Sequence, residues 1–208
     1  MNVIVNISGS SVDDYAHIAA RLNGSDIAAL EINISCPNVK EGGIAFGQSP
    51  DLVKEITSTL KSRSKKPIIM KLSPNVTDIT VMARAAQEAG ADAISLINTI
   101  TGMKIDIHKR KFVLANKTGG MSGPAIKPIA LRMVYQAAQV VDIPIIAMGG
   151  ITTAEDAIEF IMAGASMVSV GTANFYNPYA SLEIVEGIEE YLQANAISNI
   201  AEIRGIVK

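Results

Sequence analysis

Six short apolar runs, each followed by a stretch with helical spacing, constrain the fold of this chain more than any other feature. Runs 3–7, 27–34, 67–72, 93–97, 143–148 and 167–170 are rich in Ile, Val and Ala and bounded by Gly, Pro, Asn or Ser, the pattern of buried strands. Between them, 12–22, 52–62, 79–89, 128–140 and 154–163 carry apolar residues at helical spacing, and 182–192 and 197–206 read as closing helices. Near-continuous apolar strands alternating with helices call for a parallel α/β sheet joined by right-handed crossovers. The punctuation agrees. Ser11 with Asp14 forms a capping-box pattern, and Asp78 and Thr153 stand as N-caps. Gly90 and Gly164 stand where helices end, each in an Ala-Gly-Ala turn leading into a strand. An open doubly wound sheet accepts six units, whereas a closed eight-stranded barrel needs two more.

The 208 residues suffice for one sizeable domain, read here as 1–208. Apolar residues make up 49% and aromatics only 4%, so the core has to be built from Ile, Val, Ala, Leu and Met. A formal charge of −2 gives no basic field for nucleic acid or an anionic membrane surface, which leaves small molecules as the expected ligands. No run approaches the roughly 20 apolar residues that span a bilayer. Residues 1–6 lack the basic and long apolar regions of a secretory signal, so the cytoplasm is the expected compartment. The single cysteine, Cys36, cannot form an internal disulfide or a Cys-rich zinc or iron-sulfur site on its own, and no metal site is expected.

The connection 98–126 is too long for an ordinary strand-helix loop. Within it 104–108 and 111–115 alternate around a charged turn, the pattern of a small hairpin over an active-site face, and Gly119, Gly120 and Gly123 favour binding. In parallel α/β folds ligands sit at the carboxyl ends of the strands. Those ends carry Asn6, then Asn33 to Cys36, then Lys71, then Asn98 and Thr99, then Gly149 and Gly150, then Gly171 and Thr172.

Each of these residues also has a plainer use. Lys71 could snorkel to water, yet the apolar leader from Pro67 to Met70 makes an inward lysine costly unless it serves a developing negative charge. Reduced flavin, anionic near N1 and the C2 carbonyl, is a fitting recipient. The pairs Gly149-Gly150 and Gly171-Thr172 could be ordinary turns, but paired backbone donors after the last two strands suit a phosphate, and the Ser122-Gly123-Pro124 turn adds a third loop. Asn33, Asn38, Asn98 and Thr99 could serve turns. Together they offer donors and acceptors to a planar ring with lactam edges. A free Cys is commonly a small buried hydrophobe. Pro37 instead fixes Cys36 on an extended, rigid loop, where a thiol with an unperturbed pKa of about 8.5 needs little tuning to act as a base. His17 and His108 read as surface residues.

These runs resemble a known family. NISCPNVKEGGIAFG at 33–47, KLSPNVTDI from Lys71, NTITG from Asn98, NKTGGMSGPAIKP from Asn116, MGGI from Met148 and VGTANF from Val170 are similar in order and spacing to the class 1B dihydroorotate dehydrogenase catalytic subunits. The resemblance implies an FMN-bearing TIM-type β/α barrel that oxidises dihydroorotate to orotate in pyrimidine biosynthesis. It implies Cys36 as the base that takes the C5 proton while hydride leaves C6. Asn6, Asn33, Lys71, Ile97, Gly123, Gly149, Gly150, Gly171 and Thr172 would hold FMN, Lys71 at the flavin N1 side and Gly149, Gly150, Gly171 and Thr172 at the phosphate. Asn33, Asn98 and Thr99 would bind the substrate ring, with Asn38 a lesser contact. The GGIAFG segment resembles the NAD-linked class, whose members pair with an iron-sulfur, FAD-containing electron-transfer subunit around a homodimer core to make a heterotetramer. With one Cys here, any cluster would belong to that partner.

The chain departs from the family pattern at its start, where the first two strand-helix units have no counterpart. An incomplete barrel of six of the eight units is therefore expected, with exposed sheet edges and weak or absent activity for this polypeptide alone. A dihydropyrimidine dehydrogenase-like domain shares the cysteine loop and is an alternative, as is a non-catalytic remnant or assembly partner.

Overall fold

Six parallel strands form one sheet in the order in which they occur along the chain. The computed structural model describes residues 2–34 and 46–207. The strands are β1 (Ile4–Ile7), β2 (Ala29–Asn33), β3 (Ile68–Lys71), β4 (Ala93–Leu96), β9 (Ile145–Met148) and β10 (Met167–Ser169). Between β4 and β9 lie two small antiparallel ladders, β5 (Ile100–Met103) with β8 (Thr118–Met121) and β6 (Ile105–Asp106) with β7 (Lys111–Phe112). The main helices are α1 (Val12–Arg21), α2 (Pro50–Arg63), α3 (Ile79–Glu88), α4 (Lys127–Ala138), α5 (Ala154–Met162), a short α6 (Ala173–Tyr176) and α7 (Ala180–Ala194).

Sequential strand order excludes the doubly wound alternative, in which the order reverses at a switch point and helices cover both faces. Here successive helices pack on one another around one side of the sheet, α1 on α2, α2 on α3, α3 on α4, α4 on α5 and α5 on α7. That is the wall of a β/α barrel. The sheet is an open arc, with β1 and β10 as its outer strands among the described residues. Ile4 at one end and Met167 at the other are 43% and 56% exposed, the uncovered edges expected of an incomplete barrel.

The two faces of the sheet follow from the period-2 alternation of strand side chains. Leu30, Ile32, Ile68, Met70, Ile94, Leu96, Ile145 and Ala147 point to the helices and join one core with Tyr15, Ile56, Leu60, Val134 and Phe160. Fully burying each large member contributes about 1.5–3 kcal/mol. The concave face carries a thinner apolar cluster of Ala29, Ile69, Ala93, Ile146 and Met148. On that face the register sets Asn6 beside Glu31, Asn33 beside Lys71, and Lys71 beside Ser95.

The capping devices are formed. Ser11 and Asp14 make a reciprocal capping box on α1, Thr153 and Asp156 make one on α5, and Asp78 caps α3. Gly90 and Gly164 end their helices at φ +91° and +119°, conformations open to glycine. The closing helix expected at 197–206 is absent and is replaced by a 3-10 turn, Ile200–Ile203. Ala196 at φ +55° and Gly205 at φ +66° bracket that segment in left-handed backbone, which stops a helix at both ends. The connection 98–126 holds the expected hairpin at its tip, and beneath it the β5–β8 ladder that the glycine-rich Thr118–Met121 concealed. No helix among the described residues is long and apolar enough to cross a membrane.

Candidate active site

The carboxyl ends of β3, β4, β9 and β10 surround a cavity of about 230 Å³ on the concave side. Lys71, Ile97, Asn98, Thr99, Gly123, Gly149, Gly150, Gly171 and Thr172 line it, nine of the residues singled out from the sequence. Asn6 and Asn33 do not line it; Asn33 accepts a hydrogen bond from Asn98, which does, and Asn6 reaches Lys71 only through Glu31. Cys36 and Asn38 lie outside the described residues.

Among the described residues, Lys71 is the only charged side chain lining the cavity. Its Nζ lies 3.4 Å from Glu31 Oε2, an oxygen that also accepts a hydrogen bond from Asn6 Nδ2 at 2.5 Å. Ser95 Oγ donates to Glu31 Oε1 at 2.7 Å. The Glu31 and Lys71 side chains are 13% and 17% exposed, so the pair is largely withdrawn from water. The end of β2 joins the site through Asn33, whose Oδ1 accepts from Asn98 Nδ2 at 2.9 Å and whose carbonyl accepts from Tyr15 Oη at 2.8 Å. Asn98 Oδ1 in turn accepts from the Thr99 amide at 2.8 Å.

Thr99 is fixed from two sides. Gly120 of β8 lies directly against its hydroxyl and methyl, so close that any side chain at Gly120 would displace it. Asn75 donates through Nδ2 to the Thr99 carbonyl at 3.2 Å and accepts from the Thr101 amide at 3.0 Å, pinning the entry of β5 to the loop after β3. The ladder in the long connection thus holds the Asn98-Thr99 turn over the sheet.

The glycine turns have different grounds. Gly150 has φ +82°, and a Cβ there would stand 2.9 Å from the Gly123 carbonyl oxygen and 2.9 Å from the Lys127 amide nitrogen. Gly149, at φ +124°, would place a Cβ 2.9 Å from Ala130 Cβ. These two are required for the β9 end to pack on the 3-10 turn Pro124–Ile126 and on α4. A Cβ at Gly171 would meet nothing within 4 Å among the described residues, so the position borders open space. Thr172 Oγ1 donates to Ser122 Oγ at 3.1 Å, closing the gap between the β10 end and the long connection.

Behind Gly150, Lys127 Nζ pairs with Asp156 Oδ1 at 2.5 Å and with Glu159 Oε2 at 3.0 Å. Asp156 Oδ2 accepts from the Thr152 amide and hydroxyl, both at 2.8 Å. Burial pushes the Asp156 carboxyl up, and Lys127 with the Thr152 and Thr153 donors overrides this, holding it below the ordinary carboxylate range. The Asp156 carboxylate holds Lys127 above the ordinary lysine range. The network braces the β9 turn, and it commits the Lys127 charge to carboxylates.

Glu31 went unread in the sequence, although a carboxylate inside the apolar run 27–34, two residues before Asn33, falls on the same strand face. Ser122, Met148, Thr152 and Ser169 also line the cavity. Single serines and threonines carry no signal that separates lining from surface. Both histidines are exposed, as read.

The family model for dihydroorotate dehydrogenase matches residues 1–192. A relative from Lachnoclostridium phytofermentans, the dihydroorotate dehydrogenase B (NAD(+)) catalytic subunit, is 63% identical over 206 residues, covering 99% of this chain and 69% of its own. The protein of the same name from Alkaliphilus metalliredigens is 59% identical, with 98% of this chain and 67% of its own covered. A crystal structure of the Eimeria tenella dihydroorotate dehydrogenase in complex with ferulenol superposes with a TM-score of 0.78 at 25% identity, over 94% of this chain and 57% of that one. This chain thus spans less than two thirds of the structural neighbour and about two thirds of the curated relatives. With the family model matching nearly its whole length and close relatives in the NAD-linked B class, the chain belongs to the dihydroorotate dehydrogenase family.

Proposed function

We propose that this chain supplies the cofactor-facing wall and the catalytic thiol of a dihydroorotate dehydrogenase that oxidises dihydroorotate to orotate for pyrimidine synthesis, with FMN as its cofactor. The observation that carries the reading is the convergence on one cavity of Lys71, the Asn98-Thr99 turn and two glycine turns from four strand ends.

The residues present suit FMN. Gly149 and Gly150 keep backbone at the cavity where any Cβ would collide, and Gly171 leaves open space beside the Thr172 hydroxyl, an arrangement fit for a phosphate. Lys71 brings a fixed cation to the opposite part of the same cavity, where the N1 and C2 edge of a flavin gathers negative charge. Buried Ile97 offers an apolar surface between the two ends. FMN, when bound, supplies the two-electron acceptor for the hydride that leaves C6.

The chain's own part is positioning and proton removal. Asn33, Asn98 and Thr99 present carboxamide and hydroxyl groups to the ring edges of dihydroorotate, held by the Asn33 to Asn98 hydrogen bond and by Asn75. Cys36 Sγ, as thiolate, takes the C5 proton, a step open to a thiol whose unperturbed pKa of about 8.5 is within reach of neutral pH. Asn6 stands behind Lys71. The relatives' names describe catalytic subunits, which supports a separate partner, read here as an iron-sulfur, FAD-containing subunit that passes the two electrons to NAD, on a homodimer core. The cytoplasm is the proposed compartment.

FMN titration is expected to raise Tm and alter the visible flavin spectrum. Cys36→Ala should keep that binding and lose reduction by dihydroorotate. Preferential turnover of uracil would favour the dihydropyrimidine dehydrogenase alternative. The exposed Ile4 and Met167 edges favour one other reading, a non-catalytic assembly component, which gains if FMN changes neither spectrum nor Tm.

A further inference from the structure

We infer that Glu31 is a positioning residue that holds Lys71 and Asn6 in place and sets the net charge which the concave face presents to the cofactor. A carboxylate is out of keeping with the apolar cluster on that face, Ala29, Ile69, Ala93, Ile146 and Met148. Taking a carboxylate out of water is costly unless charge and hydrogen bonds compensate it. Glu31 is compensated from three other strands at once, by Asn6 on β1, Lys71 on β3 and Ser95 on β4, with its side chain 13% exposed.

Two consequences follow from this geometry. The first is mechanical. A lysine stem is flexible, and among the described residues the Lys71 ammonium has one carboxylate partner, at 3.4 Å, to fix where it lies, on an oxygen shared with Asn6. The second is electrostatic. Lys71 and Glu31 form a nearly neutral pair, so the field at the cavity is that of an ammonium damped by a carboxylate behind it. Removing the carboxylate leaves a bare cation, which favours a reduced, anionic ring over an oxidised, neutral one.

Glu31→Gln is the appropriate variant, because it keeps the volume and Ser95 can turn its hydroxyl to suit an amide. The inference rests on the flavin reading above, and two measurements keep their failures apart. In the FMN-loaded protein, Glu31→Gln should move the flavin midpoint potential to a more positive value, and Lys71→Met should move it to a more negative one. In the protein without flavin, urea unfolding of Glu31→Gln, Lys71→Met and the double variant should be non-additive, the double losing less than the two singles together. If the parent takes up no FMN, the flavin reading fails and the unfolding cycle alone decides whether Glu31 holds Lys71. An additive cycle, or a Glu31→Gln midpoint potential equal to the parent's, overturns the inference.

Discussion

Gly150 and Gly171 line one cavity, yet a methyl group at each is predicted to act on opposite properties. At Gly150 the backbone sits at φ +82°, a conformation that costs an L-residue about 1–2 kcal/mol. The added Cβ would lie 2.8 Å from Lys127 Cβ, 2.9 Å from the Gly123 carbonyl oxygen and 2.9 Å from the Lys127 nitrogen, and two of these three are backbone atoms that cannot step aside. Overpacking of that kind costs about 1–3 kcal/mol. The sum, about 2–5 kcal/mol, corresponds to a fall in Tm of about 5–15 °C for a chain of this size. At Gly171 a methyl meets nothing within 4 Å among the described residues. Gly171→Ala should therefore leave Tm unchanged or raise it slightly, by the roughly 0.4–1 kcal/mol that lost chain entropy contributes. It would occupy space assigned to the phosphate, and FMN affinity should fall about tenfold, or ~1.4 kcal/mol. Circular dichroism melts without flavin and fluorescence titration with FMN separate the two effects. A Gly150→Ala protein that melts with the parent, or a Gly171→Ala protein that binds FMN as the parent does, would refute the reasoning at that position.

The Asp156 and Lys127 network makes a prediction about pH. Because the folded Asp156 pKa is lowered, its stabilisation is complete above the unfolded value near 3.9 and is lost as pH falls through the folded value. Because the folded Lys127 pKa is raised, its share is complete below the unfolded value near 10.4 and is lost as pH rises through the folded value. Asp156→Asn should cost about 1.5–3 kcal/mol at neutral pH and flatten the acid limb of a Tm-against-pH curve; an unchanged acid limb would contradict this. Asn75→Ala removes the two hydrogen bonds that hold the Thr99 carbonyl and the Thr101 amide, worth about 2 kcal/mol together. Steady-state kinetics should show a raised KM for dihydroorotate, with FMN affinity kept in a parallel titration.

Much of the scaffold could be read from the residues because its signals are local. Apolar runs ending in Asn6, Asn33, Lys71 or Asn98 name both a buried strand and the end that faces the site, since polar groups at the close of an apolar strand have to leave the core. The capping boxes at Ser11 and Thr153 and the helix-ending Gly90 and Gly164 are equally local. What escaped depends on pairing across the chain. Strand order, which separates the barrel wall from a doubly wound sheet, is a property of neighbours and leaves no mark on composition. Thr118–Met121 contains two glycines and has little strand propensity by itself, and it becomes a strand only against Ile100–Met103. Glu31 went unread inside its apolar run, because the partners that make it tolerable, Asn6, Lys71 and Ser95, lie 25, 40 and 64 residues away. Residues 197–206 carry helical spacing but are cut by left-handed backbone at Ala196 and Gly205.

The central claim is that the cavity at the ends of β3, β4, β9 and β10 holds FMN against a dihydroorotate whose C5 proton goes to Cys36. Anaerobic mixing of the FMN-loaded protein with dihydroorotate, followed in the visible flavin band, tests it most directly. Bleaching by the parent, slow as an incomplete barrel implies, together with retained FMN and little or no bleaching in Cys36→Ala, is the predicted result. A parent protein that binds FMN but is not bleached, or a Cys36→Ala protein bleached at the parent's rate, would contradict it.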